Sequence, residues 1–434
     1  MSRQIRGLLV RYGGLLSLGG FFGTKILIGL ALLKLSAELL PSSSFTLFSQ
    51  FLLAWALLNL VASGGVQNGL IRQIASAESA VEARTAFRAG MRIWAVASLV
   101  LMTLWPLKDR VAVILVGDTA AAWIVPWLVC AAAMGGFGQL CNAVLIGSGR
   151  LTSNVVSQSA GLVAGFVGAV ACLYRADAGW AVVAFAGGSL FTPLVAGLLC
   201  RKLPALSPGV VYSVGAEVRA LLAYSGAFIA VALMTPIMLF ILRYFYREAF
   251  GVDALAEWLV ANRISDVSTQ LIGLFMVQWY LPKVAGTANG AFETRTVVAT
   301  FVVGTTVMLL LLAIFMIGAP VIVPLFLSPQ YLSASGLIAI YMLGDALRVS
   351  ASMAVHHALA RRRLWVYLGI EATSAALLGL LVGGGIQQDR IDAPYFGYVG
   401  AYGFLTAVIC TGFLLGLARK RAEPVVGSRG PGNA

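Results

Sequence analysis

The chain has 434 residues, 60% of them hydrophobic and 11% charged, with a mean hydropathy of +0.91. A soluble domain averages about 45–50% apolar and about 25% charged residues, so this composition excludes a water-soluble globular protein. The formal charge of +13 would suggest nucleic acid for a soluble chain; here it reads as basic loops held at an anionic cytoplasmic leaflet, and no nucleic-acid partner is expected.

Taken in chain order, the apolar segments of spanning length fall at 13–35, 44–64, 87–105, 120–145, 153–174, 178–200, 221–245, 256–281, 297–318, 332–357, 364–386 and 395–418. Each is near the roughly 20 residues that cross a bilayer as a helix. Helices are the expected element, because lipid leaves open backbone groups unsatisfied and barrel strands would alternate apolar and polar residues. The predicted class is an all-α polytopic membrane protein. Arg3, Arg6 and Arg11 precede a run that contains Lys25 and has no clear small-residue cleavage site, so the N-terminus reads as a retained first helix rather than a signal peptide. The polar, alanine-rich segment from Arg72 to Arg92 is predicted to form an interfacial helix, and the Gly-, Pro- and Ser-rich tail 423–434 to be disordered and cytoplasmic. The five cysteines lie in or beside apolar segments without CxxC spacing, so neither a disulfide framework nor a metal site is expected.

Charge sets the orientation. With both termini in the cytoplasm, 20 of the 30 lysines and arginines fall in cytoplasmic segments. Six fall outside: Lys108, Arg110, Arg175, Arg243, Arg247 and Arg390. The remaining four, Lys25, Lys34, Arg263 and Arg348, lie within spans. This bias places both ends in the cytoplasm and favours an even number of spans. A weak repeat divides the chain: Tyr12-Gly13-Gly14 matches Tyr224-Ser225-Gly226, Val66-Gln67 matches Val277-Gln278, and Arg150-Leu151 matches Arg363-Leu364, at offsets of 211–213 residues. The repeat predicts two parallel six-helix lobes, 1–207 and 208–422, with a cavity between them.

No P-loop, HExxH or GxSxG motif is present, so no catalytic residue, metal or cofactor is assigned and transport energy is expected from gradients or from the substrate's own imbalance. The informative residues are ionisable and within spans, where a charge costs about 2.5–3.5 kcal/mol and usually faces a cavity or a partner. Lys25 lies near the middle of the first span; Lys34, at its end, can snorkel. Arg263 and Asp266 sit three apart on one helical face, and Asp345 and Arg348 repeat that spacing in reverse. Each is either a self-satisfied pair or a charged cavity wall, with arginine to grip an anion and aspartate to exchange protons. Glu371 has no local partner and is a candidate proton carrier; its repeat counterpart is Gln158. Asn59, Gln67, Asn68, Asn262, Gln270 and Gln278 can bond sugar hydroxyls or hold helices together. Gly161 and Gly165, with Gly19, Gly20 and Gly23, are expected to let helices pack closely.

Several stretches carry a resemblance. They are Lys25-Ile26 with Lys34-Leu35, Gly64-Gly65-Val66-Gln67-Asn68-Gly69, Ile264-Ser265-Asp266 through Tyr280-Leu281-Pro282, Leu343-Gly344-Asp345-Ala346-Leu347-Arg348, and Leu368-Gly369-Ile370-Glu371-Ala372. In these the chain resembles the Wzx-type lipid-linked oligosaccharide flippases of the multidrug/oligosaccharidyl-lipid/polysaccharide (MOP) exporter superfamily, nearest to its enterobacterial common antigen and O-antigen members. The resemblance implies a V of two lobes in the bacterial inner membrane. Its substrate would be an undecaprenyl-pyrophosphate-linked glycan, its surroundings bilayer lipids, and its partners a polysaccharide polymerase and a chain-length regulator. It implies a cationic site for the pyrophosphate at Lys25, Arg263 and Arg348; the residues themselves add Gln67 and Asn68 as substrate-binding candidates and Asp266, Asp345 and Glu371 as coupling candidates. The loop after the second span and the outer loops depart from the family pattern. The rival readings are a cation-coupled drug or metabolite exporter, a lipid II flippase, and a membrane polymerase or ligase, against which the short outer gaps argue.

Overall fold

A computed structural model of the chain describes residues 3–201, 203, 205, 209–210, 212–276, 280, 290–360 and 363–422. The described residues form helices and no strand. In order they are α1 (Arg3–Leu39), α2 (Ser42–Ala62), α3 (Gln67–Ser76), α4 (Ala80–Met102), α5 (Lys108–Val116), α6 (Ile124–Gly147), α7 (Leu151–Leu173), α8 (Ala178–Gly187), α9 (Phe191–Cys200), α10 (Val214–Phe275), α11 (Gly290–Phe326), α12 (Ser335–Ala360), α13 (Leu364–Gln387) and α14 (Ala393–Ala422). Among the described residues, nine segments are long and apolar enough to cross a membrane. The three other expected spans fall on α1 and on the two arms of α10. Those arms meet at Gly251, whose φ of 84° and ψ of 178° suit a residue without a Cβ and reverse the chain there.

Helices α1–α9 pack on one another, as do α10–α14, and α10 meets α2 and α4 along the seam. One buried core runs through both bundles, joining Phe45 and Phe51 of α2, Leu128 of α6, Trp258 of α10 and Tyr341 of α12. Outward faces carry large apolar side chains; Ile317 on α11 is 85% exposed, an arrangement suited to lipid.

Two local expectations change. Residues 72–92 do not form one interfacial helix. Ser79 caps α4 by accepting from the Glu82 N–H at 3.2 Å, while the Glu82 carboxylate takes the Glu78 N–H at 2.9 Å, so a new helix starts at Ala80 and carries Arg84, Arg88 and Arg92. The sixth expected span holds as one apolar segment, Ala178–Cys200, in which α8 runs into α9 through a tighter helical turn at Gly188–Leu190. At that turn α7 comes to backbone contact: a Cβ on Gly188 would stand 2.4 Å from the Gly161 carbonyl oxygen and 2.5 Å from the Gly165 nitrogen. Gly161 and Gly165 thus do the packing expected of them, whereas, among the described residues, a Cβ on Gly20 or Gly23 would meet no atom within 4 Å. The tail from 423, and Gln278, Leu281, Pro282 and Lys283, lie outside the described residues, as do the side chains of Gly19's neighbourhood in α1, of Asn68 and of Gln270.

Candidate functional site

Between the bundles lies a cavity of about 720 Å³. Most of its wall comes from α1, α2 and α6–α9; α10 adds Arg263 and Asp266 from across the seam. Lys25 reaches it from α1, exposed, and makes no ion pair among the described residues. Arg263 places one guanidinium nitrogen 3.6 Å from Asp266 and donates another to the Ser49 carbonyl oxygen of α2 at 3.1 Å. Two cations thus face one carboxylate, and the cavity wall is net positive. Gln67, the first residue of α3, completes the expected residues gathered here. Of the expected binding and coupling groups, Lys25, Gln67, Arg263 and Asp266 meet at one cavity.

Arg348, Asp345 and Glu371 do not join them. They belong to a second polar cluster inside the α10–α14 bundle. Asp345 is fully buried, and one carboxylate oxygen accepts from the Ser265 hydroxyl at 2.6 Å and the Tyr398 hydroxyl at 2.8 Å. Its other oxygen has no partner among the described residues. Arg348 reaches the Tyr398 hydroxyl at 3.4 Å and lies over the Tyr402 ring. Asp345 and Arg348 are therefore linked through a tyrosine rather than by the direct one-turn pair that their spacing allows. Tyr398 itself stacks on Tyr341, with ring centroids 4.1 Å apart and planes within 8°. Glu371 is not partnerless: Thr235 of α10 offers it a hydroxyl at 3.4 Å.

Sequence reasoning misplaced Arg243. It counted this residue among outer loops, because Arg243 closes an apolar run; the structure buries it in the first arm of α10, donating to the Asn262 side-chain Oδ1 and seated over the Trp258 and Phe240 rings. The neutral amides Gln139 and Asn142 were also missed, and Gln158 entered only as the repeat counterpart of Glu371. Gln139 donates to the Asn59 side chain at 3.0 Å, Ser157 donates to the Asn142 side-chain Oδ1, and Gln158 donates to the Asn154 side chain at 3.0 Å. Asn59, Gln139, Asn142 and Gln158 all line the cavity. The available signal was position: Gln139 and Asn142 are three apart within an otherwise apolar helix.

Lys34 also departs from its expected role. Beyond pairing with Glu38, its ammonium donates 2.6 Å to the Pro324 carbonyl oxygen in the last turn of α11. Helix ends leave carbonyls unpaired, so a lysine from the opposite bundle satisfies one of them. The Phe45 and Tyr331 rings, one from each bundle, meet 6.0 Å apart.

No family model matches this sequence, and no curated protein does. Solved structures with the same fold do exist. An inward-facing multidrug resistance MATE family transporter of the MOP superfamily superposes with a TM-score of 0.71 at 15% identity, covering 93% of this chain and 96% of that one. An outward-facing structure of the same description gives 0.60 at 14%, covering 93% and 94%. Lipid II flippase MurJ, in an inward closed conformation, gives 0.69 at 9%, covering 92% and 87%. At these identities the likeness establishes the fold, that of MOP-superfamily transporters.

Proposed function

We propose that this chain is a MOP-type transporter, and within that class a flippase. It would carry an undecaprenyl-pyrophosphate-linked oligosaccharide, of O-antigen or enterobacterial common antigen type, from the cytoplasmic to the periplasmic leaflet by alternating access. The observation that carries the reading is the polarity of the cavity: Lys25 and Arg263 face one carboxylate, Asp266. A diphosphate wants such a site, since charge-assisted bonds to phosphate oxygens are about twice as strong as neutral ones. A cation-coupled drug exporter would favour a net acidic wall instead.

Several features support an inward-open resting arrangement. The cross-bundle contacts of Lys34, Phe45 and Arg263 lie toward the end with the α1–α2 turn, which the charge bias places outside. The superposition is also better on the inward-facing than on the outward-facing neighbour, 0.71 against 0.60. In this cycle the headgroup enters from the cytoplasm, Lys25 and Arg263 attract its diphosphate, and the lipid tail stays in the bilayer. Arg348 would act from the second cluster rather than by touching substrate. Of the three candidate coupling groups, Asp266, Asp345 and Glu371, Asp345 supplies the carboxyl that couples rocking to protons. The chain is placed in the bacterial inner membrane with both ends cytoplasmic, beside a polymerase and a chain-length regulator, and acts as a transporter rather than an enzyme.

The experiment is complementation of a flippase-null strain with wild type and Lys25→Ala at equal membrane abundance, following surface glycan and accumulated lipid-linked precursor. Wild type is expected to restore glycan and Lys25→Ala to lose it. Failure of wild type in several glycan backgrounds, together with export of cationic drugs, would replace this reading with the exporter.

A further inference from the structure

We infer that the cavity wall built by α2, α6 and α7 is a carbohydrate subsite, distinct from the cationic residues that hold the anionic centre. The inference rests on the flippase reading above and assigns the sugar to particular side chains.

Its core is a set of four amides, Asn59, Gln139, Asn142 and Gln158, that border the cavity. Each is half used. Gln139 spends its NH₂ on Asn59, Gln158 spends its NH₂ on Asn154, and Asn142 spends its oxygen on the Ser157 hydroxyl. These bonds fix the plane of each amide. Among the described residues, the other end of each takes no protein partner: the NH₂ groups of Asn59 and Asn142, and the oxygens of Gln139 and Gln158. None of these atoms is sealed from solvent, in contrast to the buried orphan oxygen of Gln50 nearby on α2. The wall therefore offers two donors and two acceptors to whatever fills the cavity.

Amides that only glue helices together would consume both ends between helices, since a spare polar group inside a membrane bundle is costly. Here the spare ends collect at one cavity instead. Their chemistry matches hydroxyls, each of which donates and accepts at once. It matches phosphate poorly, because an oxyanion only accepts and the acceptor oxygens would repel it. Beside the amides stand Trp55 and Phe185, edge to face at 5.7 Å, both lining the cavity. Aromatic side chains supply apolar area with a defined face, which suits the C–H face of a pyranose ring. The ligand class is a neutral hexose or N-acetylhexosamine unit next to the diphosphate.

The test uses the full chain in nanodiscs and two probes: undecaprenyl diphosphate, and undecaprenyl diphosphate carrying one N-acetylglucosamine. Affinities are measured for wild type, Asn142→Leu, Gln158→Leu and Lys25→Gln. Wild type is expected to bind the sugar-bearing lipid about tenfold more tightly, the size of one or two well-made hydrogen bonds. Asn142→Leu and Gln158→Leu should erase that preference and keep the sugar-free affinity, which also reports that they are folded. Lys25→Gln should weaken both lipids alike. If Asn142→Leu loses both lipids through misfolding, Gln158→Leu and Gln139→Met carry the same comparison. Equal affinity for the two probes in wild type, or a preference that survives the amide substitutions, overturns the subsite and leaves the flippase standing. Binding of neither probe by wild type overturns the flippase reading, and the subsite with it.

Discussion

The Arg263 guanidinium of one bundle donates to the Ser49 carbonyl oxygen of the other, 3.1 Å away, while it holds Asp266 one turn along its own helix. One side chain thus does two jobs: it charges the cavity and ties the bundles together. Arg263→Ala should lose both. A charge-assisted bond contributes about 1.5–3 kcal/mol, so transport is expected to fall at least tenfold, with surface glycan in the complementation assay as readout. Arg263→Lys keeps the charge but not the fork that serves Ser49 and Asp266 together, and should recover only part of the loss. Full activity in Arg263→Ala would remove this residue from the mechanism.

At the closed end, Lys34 and the Pro324 carbonyl make a second tie between bundles. Lys34→Met preserves the apolar stem and removes the donor. The expected result is a shift toward the outward-open arrangement. It should be read as faster labelling of a Ser49→Cys reporter by a membrane-impermeant maleimide added from outside. A two-state equilibrium moves tenfold for about 1.4 kcal/mol, so a single lost charge-assisted bond should be visible. Unchanged labelling would make the contact incidental and return Lys34 to a snorkelling lysine.

The glycines separate into those that touch and those that do not. Gly188 lies against the backbone of Gly161 and Gly165, where no flexible side chain can give way. Gly165→Ala should therefore push α7 from the α8–α9 turn and lower stability by about 1–3 kcal/mol, the usual cost of overpacking. Gly20→Ala and Gly23→Ala meet no atom among the described residues and should be neutral or slightly stabilising, since alanine is the better helix former by about 1 kcal/mol. Thermal unfolding of the detergent-solubilised chain checks the contrast. Similar melting temperatures for Gly165→Ala and Gly20→Ala would contradict the packing account.

How far the sequence carried each of these residues depends on what hydropathy can see. A full charge in an apolar run is conspicuous, so Lys25, Arg263 and Asp266 were legible, and the structure brings them to one cavity. Arg243 was hidden by its place at the end of such a run, where an interfacial arginine is the ordinary case; only the Gly251 reversal puts Asn262 and Trp258 within its reach. Gln139, Asn142 and Gln158 carry no formal charge to mark them as out of place, and nothing in a single chain says that α6 and α7 face the same space. The Tyr398 bridge between Asp345 and Arg348 joins residues 50 and more positions apart, so one-turn spacing pointed to a direct pair that the fold does not make.

Asp345 is where geometry and coupling meet most closely. One carboxylate oxygen takes two hydroxyls, from Ser265 of α10 and Tyr398 of α14, while the other takes none among the described residues. Asp345→Asn keeps an acceptor for those hydroxyls and loses the ability to bind and release a proton. It should fold normally, yet in proteoliposomes its lipid-flipping rate should no longer respond to an imposed proton gradient. Asp345→Leu also strands Ser265 and Tyr398, each at about 1–3 kcal/mol, so its loss of activity should come with a lowered melting temperature. Asp266→Asn, at the cavity wall, should change substrate affinity and leave the gradient response intact. If Asp345→Asn still accelerates under the gradient as wild type does, the coupling proton travels elsewhere, and the Ser265–Asp345–Tyr398 chain is a structural tie between α10, α12 and α14.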